Sequence, residues 1–428
     1  MRKLSALAVL ITATVALFLA SGVREPASGG TTDTVTISML ANTIDQPGYE
    51  VLIKNFERVY PNITVQVAYA LSSDLTQLET TELAAGNAPD LLTVASSTCG
   101  GSQTSVCLLA RSGHLVPLVN EPWAKRTIPL VTSLAKVGRN LYAFAPGLGL
   151  EGISTNDDLF RRLGLAVPQT FSQLLSVCRK AKSAGTVAMI LAGGSQTTVA
   201  YLLTAMSVAT VYGKDAAWIS KRKAGTVTFA GTAGWRAALQ ELIEMNDAGC
   251  FEPGVVGTTT ASAQAQFAQG RGLMIPGLTS QRGQIEADNP KFTISSYPFP
   301  GGTRANQTRA FINLDPSLGV NAHSSPQKQA AARAFIDFVA RPKQNALYAK
   351  VNGGLTQYEF LKGQLPAFMS HYAPVFKQHE YVVNPQSLWW NPAVSLALSQ
   401  DGIGLITGQL SVGDVLNAMD DAWKQGPA

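Results

Sequence analysis

The stretch NLYAFAPGLGLEGISTNDDLFRRLGLAVPQTF, residues 140–171, decides how this chain is read. Residues 141–145 are a short apolar run rich in aromatics, which predicts a strand. Pro146, Gly147 and Gly149 then break it. Residues 153–156 resume an extended course, and Asp157 or Asp158 can cap a short helix that Gly164 stops. Pro168 and Thr170 open a further helix over 171–182. A strand that crosses an irregular Gly/Pro segment into new strand–helix units points to a passage between two lobes. An ordinary surface loop within one domain is the simpler alternative.

Upstream, the period of the apolar residues switches back and forth. Residues 35–40 predict a strand. Asp45 and Pro47 open a helix with Tyr49, Leu52, Phe56 and Val59 on one face, and Pro61 ends it. Residues 63–68 alternate as a second strand. Ser73 caps a helix through Leu75, Leu78 and Leu83, and Gly86 closes it. Residues 91–94 form a continuous apolar strand of the kind covered on both faces. Strand–helix–strand–helix–strand predicts an α/β protein with a parallel, doubly wound sheet. Ligands of such sheets sit beyond the carboxyl ends of the strands. That rule selects Asn42 and Thr43 after the first strand, and Ser96, Ser97 and Thr98 after the third. Capping of the next element is the plainer role for those hydroxyls.

The ends and the composition narrow the class. Arg2 and Lys3 precede an apolar run over 4–20 that closes in small residues, so residues 1–22 read as a secretory signal and 23–33 as a linker. An uncleaved anchor is the alternative; no cysteine follows the run to carry a lipid. The net charge is +5, of which Arg2 and Lys3 supply two. The Lys221-Arg222-Lys223 triplet is the sole basic cluster and reads as a solvated turn, so no nucleic-acid partner is expected. A chain of 428 residues exceeds one ordinary core. Four cysteines in an exported chain should be paired. Of the three connectivities we expect Cys99–Cys107 and Cys178–Cys250.

Catalysis finds little support. There is no G-x-S-x-G run, and the four histidines lack metal-ligand spacing, so neither cofactor nor metal is expected. Glu241 and Glu244 share a helix face and are expected to be solvated; a glycosidase needs carboxylates opposed across a cleft.

Several stretches carry a resemblance: FERVYPNITV, ELAAGNAPDLL, YAFAP…ISTNDDLFRRLGLAVPQTF, GWRAALQELIEMNDAGCF, FAQGRGLMI and AAARAFIDFVARP. In this order they resemble the carbohydrate-type extracellular solute-binding proteins of ABC importers, the maltose-binding-protein-like family. The resemblance implies a two-lobe periplasmic-binding-protein-like fold of type II. Each lobe would be a doubly wound sheet, with three hinge crossings at 146–149, 300–302 and 353–354. Lobe 1 would comprise 34–145 and 303–352, and lobe 2 would comprise 146–302 and 353–428. It further implies capture of a sugar or oligosaccharide between the lobes, delivery to the membrane subunits of a permease, an exported location and a monomeric state. Glu151 on the crossing stretch and Thr279 and Ser280 at a returning strand's end join the candidate ligand contacts. So do Trp389 and Trp390, since a tryptophan near this place in the family stacks on a sugar ring; one is expected in the cleft, with Trp390 favoured, and one in the core. The aromatic that many relatives carry near 278–281 is missing. An exported carbohydrate-active enzyme, glycosidase or lyase, is the alternative.

Overall fold

The computed structural model describes residues 34–303 and 309–426; the expected signal and linker lie outside the described residues. The first sheet is built from β1 (Val35–Asn42), β2 (Ile63–Ala70) and β3 (Leu91–Val94). A two-stranded hairpin follows, β4 (Lys136–Val137) with β5 (Asn140–Leu141). The second sheet comprises β6 (Leu148–Asn156), β7 (Val187–Met189), β8 (Gly272–Leu278), β9 (Ile294–Tyr297), β10 (Ala310–Leu314) and, after β11 (Ser317–Val320) has returned to the first sheet, β12 (Tyr381–Val383).

The first sheet runs β11-β3-β1-β2. β1 is parallel to β2 and β3, as the alternating strand–helix pattern predicts, and β11 is antiparallel at the edge. Tyr49, Leu52 and Phe56 of helix Gln46–Val59 are fully buried, whereas Val59, expected inward, is exposed at the helix's last turn. In helix Ser72–Ala85 the inward step from Leu75 falls on Glu79, which is fully buried, and Leu78 is exposed. A helical step of 3.6 residues carries the fourth residue, not the third, closest to the buried line here.

The second sheet runs β12-β10-β6-β8-β7, with β9 also on β6. It is mixed: β6 is antiparallel to β8, β9 and β10. The sequence placed a break at 146–149 with extended chain resuming at 153. Instead β6 starts at Leu148 and takes Gly149 and Gly152 into the strand. Both glycines admit close neighbours: a Cβ on Gly152 would land on the Tyr297 carbonyl and the Tyr372 hydroxyl, and one on Gly149 would meet Ser280 Oγ. The predicted strand over 141–145 shrinks to β5 and a single bridge from Phe144 to Leu318.

Two large cores result. One gathers Tyr49, Phe56, Trp123, Leu148, Leu150, Phe335, Tyr348 and Tyr372; the other gathers Ile153, Trp218, Phe229, Trp235, Trp389 and Trp423. β6 thus leaves the first core at Leu150 and enters the second at Ile153. Cys99 is bonded to Cys107 and Cys178 to Cys250, with Cα atoms 4.7 and 4.6 Å apart. The cap of helix Asp157–Arg162 is Asn156, whose Oδ1 accepts from Leu159 N, rather than either aspartate. Asp157 instead accepts from the Thr155 and Ser295 hydroxyls. Ser411 and Asp414 form the expected capping box, and the last helix buries Val415, Leu416, Met419 and Trp423. Arg222 is not solvated: it is buried, donates to Asp420 over 2.9 Å and lies over the Trp423 ring. Among the described residues no helix is long and apolar enough to cross a membrane.

Candidate functional site

The candidate site is read from the carboxyl ends of β1 and β8, the turn between β10 and β11, and the first half of β6. At the carboxyl end of β1, Asn42 Oδ1 accepts from Ile44 N and fixes a 3-10 turn over Thr43–Asp45. The turn carries Asp45 inward until it is 1 % exposed. Asp45 occupies the N-cap position of the next helix, yet its side chain does not cap: Oδ1 accepts from Tyr348 Oη at 2.9 Å. Its other oxygen, Oδ2, has no hydrogen-bond partner.

Asp315 sits in the turn between β10 and β11. Its backbone nitrogen donates to Gly147 O, and behind it Ser317 and Ser96 share a hydroxyl–hydroxyl bond of 2.8 Å. The carboxyl is buried, bonds the Ser280 hydroxyl, and leaves Oδ2 unpartnered. Gly147 is required beside it, because a Cβ there would collide with that same oxygen. Glu151 lies on β6 opposite Leu278 of β8, is buried, and leaves Oε2 unpartnered. Thr279 and Ser280 follow β8 directly, and Thr279 Oγ1 accepts from Leu150 N. The phenol of Tyr201 feels the charges of both Glu151 and Asp315, and the Tyr348 phenol those of Asp45 and Asp315.

Asp45 and Asp315 thus lie within electrostatic reach of each other, and Glu151 is buried on β6. Burial raises Asp45 well above the usual carboxylate range, and Asp315 adds to the rise. Burial pushes Asp315 up to about 7 and raises Glu151 well above the ordinary value. Among the described residues no cationic side chain counteracts any of the three. An ionised carboxylate with an empty acceptor site is costly in such surroundings. What lowers that cost is a ligand that brings hydrogen-bond donors.

Of the residues expected from the sequence, Ser280 bonds Asp315, which acts electrostatically on Asp45, while Glu151 is buried on β6 opposite Leu278, next to Thr279. Asn42 and Thr43 shape the Asp45 turn, and Thr43 O accepts from Gln284 Nε2 at 2.8 Å, tying this loop to the second sheet's side. Ser96 supports Asp315 through Ser317. Ser97 turns its hydroxyl to Thr98 O. Thr98 donates from N to Ser387 O and from Oγ1 to Trp389 O, which joins the loop after β3 to the segment before the last helices. Trp389 is fully buried; its Nε1 donates to Tyr212 Oη, and Phe229 and Trp235 pack on it. Trp390 is half-buried and stacks on Trp423 at 4.8 Å, donating to its carbonyl.

Asp45, Asp315, Tyr201 and Tyr348 were not selected from the sequence. The strand-end rule reached Thr43 and stopped, because Asp45 followed by Pro47 reads as a helix start. Asp315 lies in an LDPS turn whose place near β6 depends on a distant antiparallel pairing that runs from Ile312 with Leu150 to Leu314 with Leu148. Glu241, expected to be solvated, is half-buried, and burial followed by the neighbouring Glu244 pushes it up to about 8.

Comparison with known proteins places this geometry. The family profile described as "bacterial extracellular solute-binding protein" matches residues 41–346. A multiple sugar-binding protein of Streptococcus mutans is 21 % identical over 349 residues, 79 % of this chain and 78 % of that one. Among solved structures, the solute-binding protein RafE in complex with raffinose superposes with a TM-score of 0.76 at 20 % identity, covering 92 % of this chain and all of that one. Maltose-bound MalE3 of T. maritima gives 0.74 at 17 %, covering 91 % and 99 %. With the profile spanning most of its length, the chain belongs to the bacterial extracellular solute-binding proteins.

Proposed function

We propose that this protein captures a sugar or oligosaccharide between its two lobes and delivers it to the membrane subunits of an ABC permease, without turning it over. The observation that carries the reading is the buried pair Asp45 and Asp315, with Glu151 buried on the crossing strand, each holding an acceptor oxygen with no partner. Sugar hydroxyls are donors in the number and spread that such a group needs, and a site built on buried polar groups rejects ligands that leave them unpaired. The named ligands of similar proteins, raffinose and maltose, are polyhydroxylated in the same way. The chain reaches the outer side of the membrane by the signal at its start, and Glu151, Thr279, Ser280 and Asp315 hold ligand hydroxyls.

Closure of the lobes on ligand supplies the signal to the permease by shifting an open–closed equilibrium. Thr98 with Trp389, and Thr43 with Gln284, are contacts that opening would break. Clustered carboxyls are also the apparatus of a glycosidase. A thermal-shift screen over mono- and oligosaccharides, followed by product analysis of any ligand found, tests both readings. The expected result is a raised midpoint with the sugar recovered intact. No shift with any sugar overturns the binding role, and hydrolysed product overturns the exclusion of catalysis.

A further inference from the structure

The loop that follows β3 is tied to the first core. Cys99 is bonded to Cys107, Ala95 N donates to Thr104 O, Val106 N donates to Ala95 O, and Ser105 Oγ donates to Cys99 O. Val106 and Leu109, on the short helix Val106–Arg111 that comes next, are buried in that core. The segment the loop faces is tied to the second core. Ser387 lies in a 3-10 turn, Pro385–Leu388, that Asn384 caps, and Gln386 Nε2 donates to Ala200 O and Thr204 Oγ1. Trp389 is buried in the second core and Trp390 stacks on Trp423.

Between loop and segment the approach is that of backbone to backbone. Thr98 donates twice, to Ser387 O and to Trp389 O. Gly100 comes so near the next carbonyl that a Cβ on it would overlap Trp390 O, and a Cβ on Gly101 would stand 3.0 Å from Ser387 O. Neither glycine has the positive φ that would by itself call for glycine. Alanine therefore suits the loop's own backbone at position 100. What excludes it is the facing segment: the three atoms nearest to such a Cβ all belong to Trp390.

We infer that this disulfide-closed loop is a latch, in which Gly100 admits the Trp390 carbonyl as the lobes close and so holds the closed form around the sugar. The inference rests on the sugar-binding reading above and adds the element that sets how long the sugar stays. Gly100 is a positioning residue, since it acts through the closed form. Apparent affinity falls in proportion to the fraction of chains able to close. The bridge assists by removing loop conformations that each closure would otherwise have to freeze out.

The full exported chain is compared with Gly100→Ala by isothermal titration, stopped-flow tryptophan fluorescence and small-angle scattering. The probes are maltose, raffinose, stachyose and chitin oligosaccharides, with their component monosaccharides. On the sugars that the parent binds, Gly100→Ala should bind about 10-fold or more weaker, chiefly through faster dissociation. Its radius at saturating sugar should stay above that of the liganded parent, and its unfolding midpoint without sugar should match the parent's. Replacing both Cys99 and Cys107 by alanine should weaken binding several-fold well below the unfolding midpoint, while the liganded radius still falls, because the room for Trp390 O remains. A Gly100→Ala chain that binds and compacts as the parent does would overturn the latch and leave the sugar-binding reading intact. A lowered midpoint without sugar would mark the contact as permanent packing and overturn the latch equally. Unchanged affinity in the cysteine variant would overturn the part assigned to the bridge. Heat from none of the sugars would overturn both the latch and the sugar-binding reading.

Discussion

Asp315→Asn should make the unliganded protein more stable, and more so as the pH rises. The carboxyl is 3 % exposed, one oxygen has no partner, and Asp45 lies within electrostatic range. Burial raises it from the ordinary 3.8 to about 7. Between those values the folded chain holds a proton that the unfolded chain has released, so folding loses stability as pH rises through this window. The penalty is absent below 3.8 and complete above about 7. At 1.36 kcal/mol per pH unit the span amounts to about 4 kcal/mol, an upper figure because local relaxation and water penetration lower the cost of burying a charge. Asparagine keeps the shape and an acceptor oxygen and cannot ionise. Urea unfolding followed by tryptophan fluorescence at about pH 4, 6 and 8 measures the difference directly. The variant and parent should coincide at the lowest pH and separate by roughly 2–4 kcal/mol at the highest. Parallel curves, or a variant weaker than the parent at about pH 8, would refute the claim that this carboxyl is held charged against its surroundings.

Four further outcomes are expected. Asp420→Ala should cost about 3–5 kcal/mol in chemical unfolding, because Asp420 accepts from Arg222, Phe229 N and Ala230 N and its loss leaves a buried guanidinium unpaired; pairing it with Arg222→Met should recover much of that. Opening the Cys178–Cys250 bridge, with a separation of 72 residues, should cost about 4 kcal/mol, against about 2.5 for Cys99–Cys107 with a separation of 8, as read from unfolding midpoints of the two double-alanine variants. Trp389→Ala should lower stability by about 3–5 kcal/mol, since a fully buried indole is removed, and Trp390→Ala, half-exposed, should lower it less. Gly152→Ala should destabilise by about 1–3 kcal/mol or more, since its methyl would overlap the Tyr297 carbonyl where β6 and β9 pair.

Much of the architecture was legible because it is written in local periodicity. The β1–helix–β2–helix–β3 unit follows from Tyr49, Leu52 and Phe56 recurring at helical spacing and from the apolar run at 91–94. The Cys99–Cys107 disulfide and the final helix were readable for the same reason: a separation of 8 residues and a capping box need no tertiary knowledge, and that pairing leaves Cys178 for Cys250. What escaped was set by distant contacts. Gly149 and Gly152 look like breakers, and only the arrival of Ser280, Tyr297 and Tyr372 explains why glycines stand in the middle of a strand. Arg222 looks like one member of an exposed basic turn until Asp420, 198 residues away, is placed beside it. The site was half visible. Glu151, Thr279 and Ser280 lie at strand positions that the sheet rule and the family resemblance reach. Asp45 was taken for a helix start and Asp315 was not singled out, since each acquires its role from Tyr348, Gly147 or Ser280 on another segment.

Isothermal titration of a sugar identified by thermal shift, against the parent and Glu151→Gln, tests the central claim most directly. Glu151 lies on the strand that passes from one core to the other, and its free oxygen is buried between them. The account predicts one sugar per chain on the parent and a loss of about 1.5–3 kcal/mol, roughly 10- to 100-fold in affinity, on the variant, with its unfolding midpoint kept or raised. A variant that binds the sugar as tightly as the parent would contradict the placement of the ligand among these carboxyls.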